Sequence, residues 1–436
     1  MISLPNNRRG IFTFNGLMAA VGGVASQTPK NVSNKEAIAN AMAKVIEEEP
    51  PKLQAKKKKK KKKQAPREKM EPGQTVASDS YTWKIIKLLG SGGFGDVYKV
   101  VKENDDDKKE YAMKTEMTEG DKLMLRLKIE VQVFTLCNEV KNPKKCSHFL
   151  AFVDRGKTRK FKFLVMGLVG KSLEDIRRNI LYKNYSKPTA MNASLQTLQS
   201  VWDLHDIGYL HRDIKPQNFA IGLGREESII YMLDFGIARK YRIGDTKQVK
   251  VARLSVKFLG TIRFASRACH LGVEQGRKDD LETWLYMVFD LFDDECLPWK
   301  RAANKNQVIT MKDEFFKQKY PKMYKIVPVE VGRIVKYIDG LAYSDEPDYL
   351  YIENILRAIA KERKIDINRQ LDWIGKTPRT REEEESETTS SDNRKTGEED
   401  DDSETRRNRH KKSGNTFAGK RISVMRRLSR SSNIKK

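Results

Sequence analysis

This chain of 436 residues has little cysteine, no long apolar run and no excess of acid, and each shortage closes off a class of protein. The four cysteines, Cys137, Cys146, Cys269 and Cys296, are widely scattered. No Cys-x-x-Cys pair and no matching histidine spacing occurs, which argues against a zinc site and against a small disulfide-framed fold. Reduced, structural thiols are the expectation. No apolar stretch reaches the roughly 18 residues of a membrane-spanning helix, so no transmembrane segment is expected. Arg8 and Arg9 ahead of Ile11 to Ala25 superficially match a secretory or transit segment. Asn15, Gly16, Gly22 and Gly23 weaken that stretch as an apolar helix, and targeting is not expected.

The missing acid leaves a formal charge of +26, spread as +9 over residues 1–79, +12 over 80–375 and +5 over 376–436. The central part is itself basic, which favours anionic partners without choosing among nucleotide, acidic or phosphorylated protein, nucleic acid and membrane surface. Before residue 80, Ser33 can cap a short helix over Asn34 to Glu47 that Pro50-Pro51 stops. Lys56 to Lys63 is an unbroken lysine run that repels itself. It reads equally as a solvated spacer, a nuclear-import signal, or a contact for a polyanion or the cytoskeleton. Past residue 375 apolar periodicity is lost: residues 377–404 are acidic, and 405–436 hold twelve bases and no acid. Both read as disordered. Ser386, Thr388, Thr389, Ser390 and Ser391 lie among acids, and Ser423 and Ser429 follow arginines, as phosphorylation sites of two kinds would.

The chemistry converges on His211-Arg212-Asp213-Ile214-Lys215-Pro216-Gln217-Asn218. A carboxylate, an ammonium and an amide within six residues can accept a hydroxyl proton, balance phosphate charge and ligate a metal, although a solvated polar loop would look similar. Upstream, a strand through Trp83 to Leu89 runs into Gly90-Ser91-Gly92-Gly93-Phe94-Gly95-Asp96-Val97. G-x-G-x-x-G alone also suits dinucleotide folds, but there it opens a helix, whereas here a second strand follows. A hairpin lid over phosphates fits better, with Phe94 at its tip. Tyr111-Ala112-Met113-Lys114 reads as a strand, and sixteen residues on Glu130 lies in a helix over Leu123 to Leu136. A Lys114–Glu130 ion pair would hold the ammonium against phosphates. Phe163 to Val169 is an apolar strand ending in a small-residue bend, either a plain core strand or a hinge with Met166, Gly167 and Val169 against a base. Ser172 to Asp175 starts a helix, Ala193 to His205 continues the helical pattern, and Ile229 to Leu233 is a strand ending in Asp234-Phe235-Gly236, whose carboxylate can ligate Mg²⁺. His205 and His211 read as packed structural histidines.

In this order, these elements resemble a eukaryotic protein kinase over residues 81 to about 362, and Asp213-x-Lys215-x-x-Asn218 resembles the serine/threonine form. Asn218 to Gly222, Met232 to Arg239, Gly260 to Ser266 and Arg277 to Glu282 are similar to the casein kinase 1 group. Trp83, Leu297-Pro298-Trp299-Lys300-Arg301 and Tyr343 resemble its tau-tubulin kinase branch most closely.

The resemblance implies an α+β, bilobal protein kinase fold. It has a small β-rich N-lobe with one main helix, a larger helical C-lobe and disordered tails. The expected divisions are an N-terminal extension over 1–79, the kinase domain over 80–375 and a tail over 376–436. Expected cofactors are ATP and Mg²⁺. Gly90, Ser91, Gly92, Gly93, Phe94, Gly95, Val97, Lys114, Glu130, Met166, Gly167 and Val169 would hold nucleotide, and Asn218 and Asp234 the metal. Asp213, Lys215 and Asn218 would be catalytic. Arg263 and Lys305 match positions that bind acidic or already phosphorylated protein substrates. Asp280 matches a buried aspartate that anchors the catalytic-loop backbone. The chain departs from most kinases where Ala-Pro-Glu would close the activation segment, having Ser266-Arg267-Ala268 instead. A monomeric, cytoplasmic enzyme is expected, nuclear as well if the lysine run is an import signal. The rival readings are a pseudokinase scaffold and a polyanion- or cytoskeleton-binding protein acting through its tails.

Overall fold

A computed structural model describes residues 68–92, 95–118, 126–142, 144–302 and 304–377. The expected helix over 34–47, the lysine run, the stretch over 11–25, both tail segments, Gly93, Phe94 and Leu123 lie outside the described residues.

Six antiparallel strands build the first lobe: β1 (Thr75–Ala77), β2 (Thr82–Ser91), β3 (Asp96–Lys102), β4 (Glu110–Met117), β5 (Phe152–Lys157) and β6 (Phe161–Gly167). Their order is β1-β2-β3-β4-β6-β5. Period-two alternation puts Trp83 and Ile85 of β2 and Tyr98 and Val100 of β3 on one face, where Met113, Phe163 and Val165 complete a small core. The Trp83 indole N–H donates to Asp154 Oδ2 at 2.6 Å, and Ser78 Oγ donates to the same oxygen at 2.6 Å, so this buried carboxylate is satisfied. The sheet recruits β1 and Met70 from the N-terminal side of residue 80.

Helix α1 (Leu127–Glu139) follows β4 and buries Val133, Phe134 and Cys137 in the larger core. That core belongs mainly to the second lobe. Its helices are α2 (Leu173–Ile176), α3 (Lys187–Asp206), α4 (Arg267–Leu271), α5 (Arg277–Phe292), α6 (Lys305–Phe316), α7 (Val331–Gly340) and α8 (Tyr349–Glu362). Ser172 Oγ accepts from the Asp175 N–H and starts α2, as its position suggests. Helix α3 begins six residues earlier than the apolar pattern indicates, because Ser186 caps it and Pro188 suits a first helical turn. Every residue of α5 is buried, so this helix is the axis on which the lobe packs. All four cysteines are free thiols.

Two small ladders aim the loop of interest. β7 (Tyr209–Leu210) pairs with β10 (Arg239–Lys240), and β8 (Phe219–Ile221) pairs with β9 (Ile230–Met232). Residues 211–218 are therefore pinned at both ends by sheet.

Candidate active site

Asp280, near the start of α5, carries the loop from beneath. Its Oδ2 accepts from the His211 N–H at 2.7 Å and its Oδ1 from the Arg212 N–H at 2.9 Å. His205 Nε2 lies 2.9 Å from the same carboxylate and its Nδ1 2.6 Å from the Tyr349 hydroxyl. Burial pushes the His205 imidazole below its ordinary value, which keeps it a neutral, structural group. His211 is fully buried too. Arg212 sits at φ +67, a left-handed conformation that costs a side-chain residue about 1 kcal/mol. Asp280, together with the Arg212 Nε bond to Ile237 O at 2.8 Å, holds it there.

That anchoring delivers a compact polar cluster. Lys215 Nζ donates to Asp213 Oδ2 at 2.7 Å, and Asn218 Nδ2 donates to the Asp213 carbonyl at 2.8 Å. Thr261 Oγ1 donates to Asp213 Oδ1 at 2.8 Å and accepts from Lys215 Nζ at 2.9 Å. Across the cleft, Lys114 Nζ lies 2.6 Å from Glu130 Oε1 and 3.0 Å from Asp234 Oδ1. Burial works against the Lys114 ammonium, yet the two carboxylates hold it well above its ordinary value. Burial likewise opposes the Asp234 carboxylate, which Lys114 with His211 and Lys215 nonetheless holds below its usual range. Glu130 is buried, and Phe235, next to Asp234 in the chain, packs its ring 5.4 Å from Phe134, one helical turn past Glu130. A Cβ at Gly236 would meet both the Asp234 and Glu130 carboxylates at 3.3 Å, so the smallest residue suits this turn.

Two connected cavities flank this pair, sharing Lys114, Glu130 and Asp234. One of about 260 Å³ is walled by Leu89, Val97, Ala112, Met166, Val169 and Leu233, with Gly167 also at its edge. The other, about 400 Å³, holds Asp213, Lys215 and Thr261. Over the first, Gly90 and Ser91 end β2 opposite Val97 and Asp96 of β3. A Cβ at Gly95 would lie 1.7 Å from Thr115 O, which forces glycine there, whereas one at Gly90 or Gly92 would meet nothing within 4 Å. Of the expected nucleotide residues, Val97, Lys114, Glu130, Met166, Gly167 and Val169 line the first cavity together with Asn218 and Asp234, whereas Gly90, Ser91, Gly92 and Gly95 line neither.

A protein kinase domain model matches residues 83–325. The chain belongs to the protein kinase family. The kinase is 34% identical over 314 residues to ZK507.3, a Caenorhabditis elegans chain named as a serine/threonine-protein kinase, covering 70% of this chain and 77% of that one. It is 32% identical over 303 residues to the serine/threonine-protein kinase spe-6 of the same organism, covering 68% and 76%. As a protein kinase it uses ATP and a divalent metal and acts on protein. No helix among the described residues is long and apolar enough to cross a membrane.

On the substrate side of the kinase, the two expected anion-recognition residues have different surroundings. The Arg263 guanidinium is bonded to the buried Asp290 carboxylate and to Asp294 O. Lys305 Nζ is 4.4 Å over the Phe258 ring at the exposed start of α6. Arg267 is buried against Glu282, Asp339 and the Phe316 ring. The Thr261–Asp213 bond has no signal in the sequence, where the Gly260-Thr261 segment shows only its family likeness. The apolar wall at Ala112 also goes unread there, although period-two spacing puts it on the same strand face as Lys114.

Proposed function

We propose that this kinase is a serine/threonine kinase of the casein kinase 1 group, nearest the tau-tubulin kinase branch, that uses Mg²⁺ with ATP and phosphorylates acidic or already phosphorylated proteins. The observation that carries the catalytic reading is the meeting of Asp213, Lys215, Asn218, Asp234, Lys114 and Glu130 around one cleft. The group assignment rests on the motif likeness at Asn218 to Gly222, Gly260 to Ser266 and Arg277 to Glu282.

The residues present fit a metal-bound nucleotide. Asp234 carries a half-exposed carboxylate facing Lys114, and Asn218 uses its amide N–H groups on Asp213, which leaves the amide oxygen as a donor atom for a cation. The bound metal would neutralise charge on the transferring phosphoryl group. Lys114, held by Glu130, fixes the nucleotide's phosphates. The apolar wall of Val97, Ala112, Met166 and Leu233 takes the flat base and excludes water. Asp213 orients the incoming hydroxyl and accepts its proton, and Lys215 stabilises the charge that develops beside it.

Asp213→Asn tests the assignment. It should leave ATP binding within about two-fold while lowering peptide phosphorylation by about a thousand-fold or more, as loss of a proton-accepting group that also orients the nucleophile does. Unchanged turnover would remove Asp213 from the reaction.

A further inference from the structure

Helix α6 turns Val308, Ile309, Phe315 and Phe316 into the lobe, and helical spacing puts position 312 on the same buried face. Position 312 is a lysine, and it is fully buried. Its Nζ lies 4.9 Å from the centre of the Tyr286 ring and 5.6 Å from that of Trp299. Among the described residues no carboxylate forms an ion pair with it; instead it donates to Ile262 O at 2.9 Å and Ala265 O at 2.5 Å and lies 3.2 Å from His270 Nε2. Burying this amine without a carboxylate in ion-pair contact is costly, since burial pushes it down to about 7 against the pull of Glu282, and an apolar side chain would pack among these rings more favourably. The compensation must come from what the lysine holds.

It holds a tight turn. The Phe264 and Ala265 N–H groups both donate to Thr261 O, at 3.0 and 2.8 Å, which leaves the Ile262 and Ala265 carbonyls facing the interior for Lys312 to satisfy. The turn enters through Gly260 at φ +113, where a Cβ would lie 2.9 Å from Arg212 O, so its approach to the catalytic loop is close and leaves no slack. Its first residue after that glycine is Thr261, bonded to both Asp213 and Lys215.

We propose that Lys312 is a positioning residue for phosphoryl transfer: from α6 it locks the 260–266 turn, and through Thr261 it fixes the Asp213 carboxylate. This rests on the reading of Asp213 as the group that receives the substrate hydroxyl. Lys312 touches neither nucleotide nor substrate, and its effect reaches the reaction only through the turn.

The test uses the full chain and Lys312→Met, which keeps an unbranched apolar stem against Tyr286 and Trp299 but cannot donate. Expected are a melting temperature within a few degrees of the native one, an unchanged KM for ATP, and a peptide kcat/KM lowered about ten-fold, since sub-ångström misplacement of a catalytic group is enough for that. Thr261→Val should produce a loss of similar size, and the double variant should lose little more than the worse single one, because both cut the same connection. Peptide kcat/KM within two-fold of native, or losses that multiply in the double variant, would overturn the proposal. So would a Lys312→Met chain that fails to fold or loses ATP and peptide together, which would assign the lysine to the core alone. A native chain that binds ATP but transfers nothing would instead refute the reading of Asp213.

Discussion

Two loops frame the cleft, and they are held in opposite ways. The glycine lid from residue 90 to 97 is tied across its base by Lys69, whose Nζ donates to Ser91 Oγ at 2.6 Å and Asp96 Oδ1 at 2.5 Å. That ammonium is 36% exposed, and a side chain added at Gly90 or Gly92 would meet nothing. The 260–266 turn has no such freedom: buried Lys312 grips two of its carbonyls, Arg263 is tied to Asp290, and Arg267 welds its end to α5 and α7. A lid that must admit a nucleotide and release a product suits weak, water-screened ties. A turn that aims a carboxylate at a hydroxyl suits buried ties, whose loss is felt strongly.

Arg267→Ala should have the largest effect on the turn. The Arg267 N–H donates to Glu282 Oε1 at 2.6 Å, its guanidinium reaches Glu282 Oε2 at 3.3 Å and Asp339 Oδ1 at 2.8 Å, and it stacks 3.8 Å over Phe316. Truncation leaves Glu282 fully buried without its cation, a loss of about 3–5 kcal/mol. Thermal unfolding should show a fall of several degrees, with peptide transfer lost in parallel. A stable, active Arg267→Ala would mean the turn is no better held than the lid. Arg267→Lys should recover only part, because a lysine has one nitrogen where the guanidinium uses three, its Nη1 lying 3.7 Å from Asp313 Oδ1.

The same contrast separates what the sequence made readable from what it hid. Lys114, Glu130, Asp213, Asn218 and Asp234 stand out in the sequence because short motifs carry residue types that suit phosphate and metal chemistry, and the fold brings them to the two cavities. The types of β2, β3, β4, β6, β9, α1 and most of α3 follow from periodicity, whereas β1, β5, β7, β8, β10 and the first turns of α3 go unread in the sequence. The ties that hold the loops were hidden for a different reason. Lys69 meets partners 22 and 27 residues on, and Lys312 meets carbonyls 47 and 50 residues back. A lysine is an unremarkable residue in so basic a chain. Only at position 312 did a local signal exist, a charge at an apolar helical position. Arg263 shows what a family likeness leaves out: the likeness suggests a substrate contact, and the pairing of its guanidinium with Asp290, 27 residues on, has no local signal in the sequence.

Lys69→Ala asks how little the lid needs its tie. The ammonium is about a third exposed while Asp96 is buried, so screening acts on one partner and limits the contact to about 1 kcal/mol; the KM for ATP should rise no more than about five-fold with peptide KM unchanged. The shift should shrink as salt is raised, because the tie is ionic and open to water. A ten-fold rise, or one indifferent to salt, would show the lid to be as firmly held as the turn.

The smallest effect is expected at Lys305, and it bears on whose hydroxyl reaches the turn. Its ammonium stands over Phe258 at 4.4 Å, on the side of the cleft where Phe258 lines the cavity holding Asp213 and Thr261. Unlike Arg263, it has no carboxylate partner within ion-pair distance among the described residues, so a charged substrate side chain would not have to displace one. Lys305→Ala should lower kcat/KM about two-fold for an acidic or phosphorylated peptide, at low ionic strength, and leave a neutral peptide of the same length unaffected. Equal loss on both peptides would make Lys305 part of the turn's support. No loss on either would pass anion recognition to Arg263, which could then serve it only by giving up Asp290, and Arg263→Ala would have to show both the altered preference and a less stable fold.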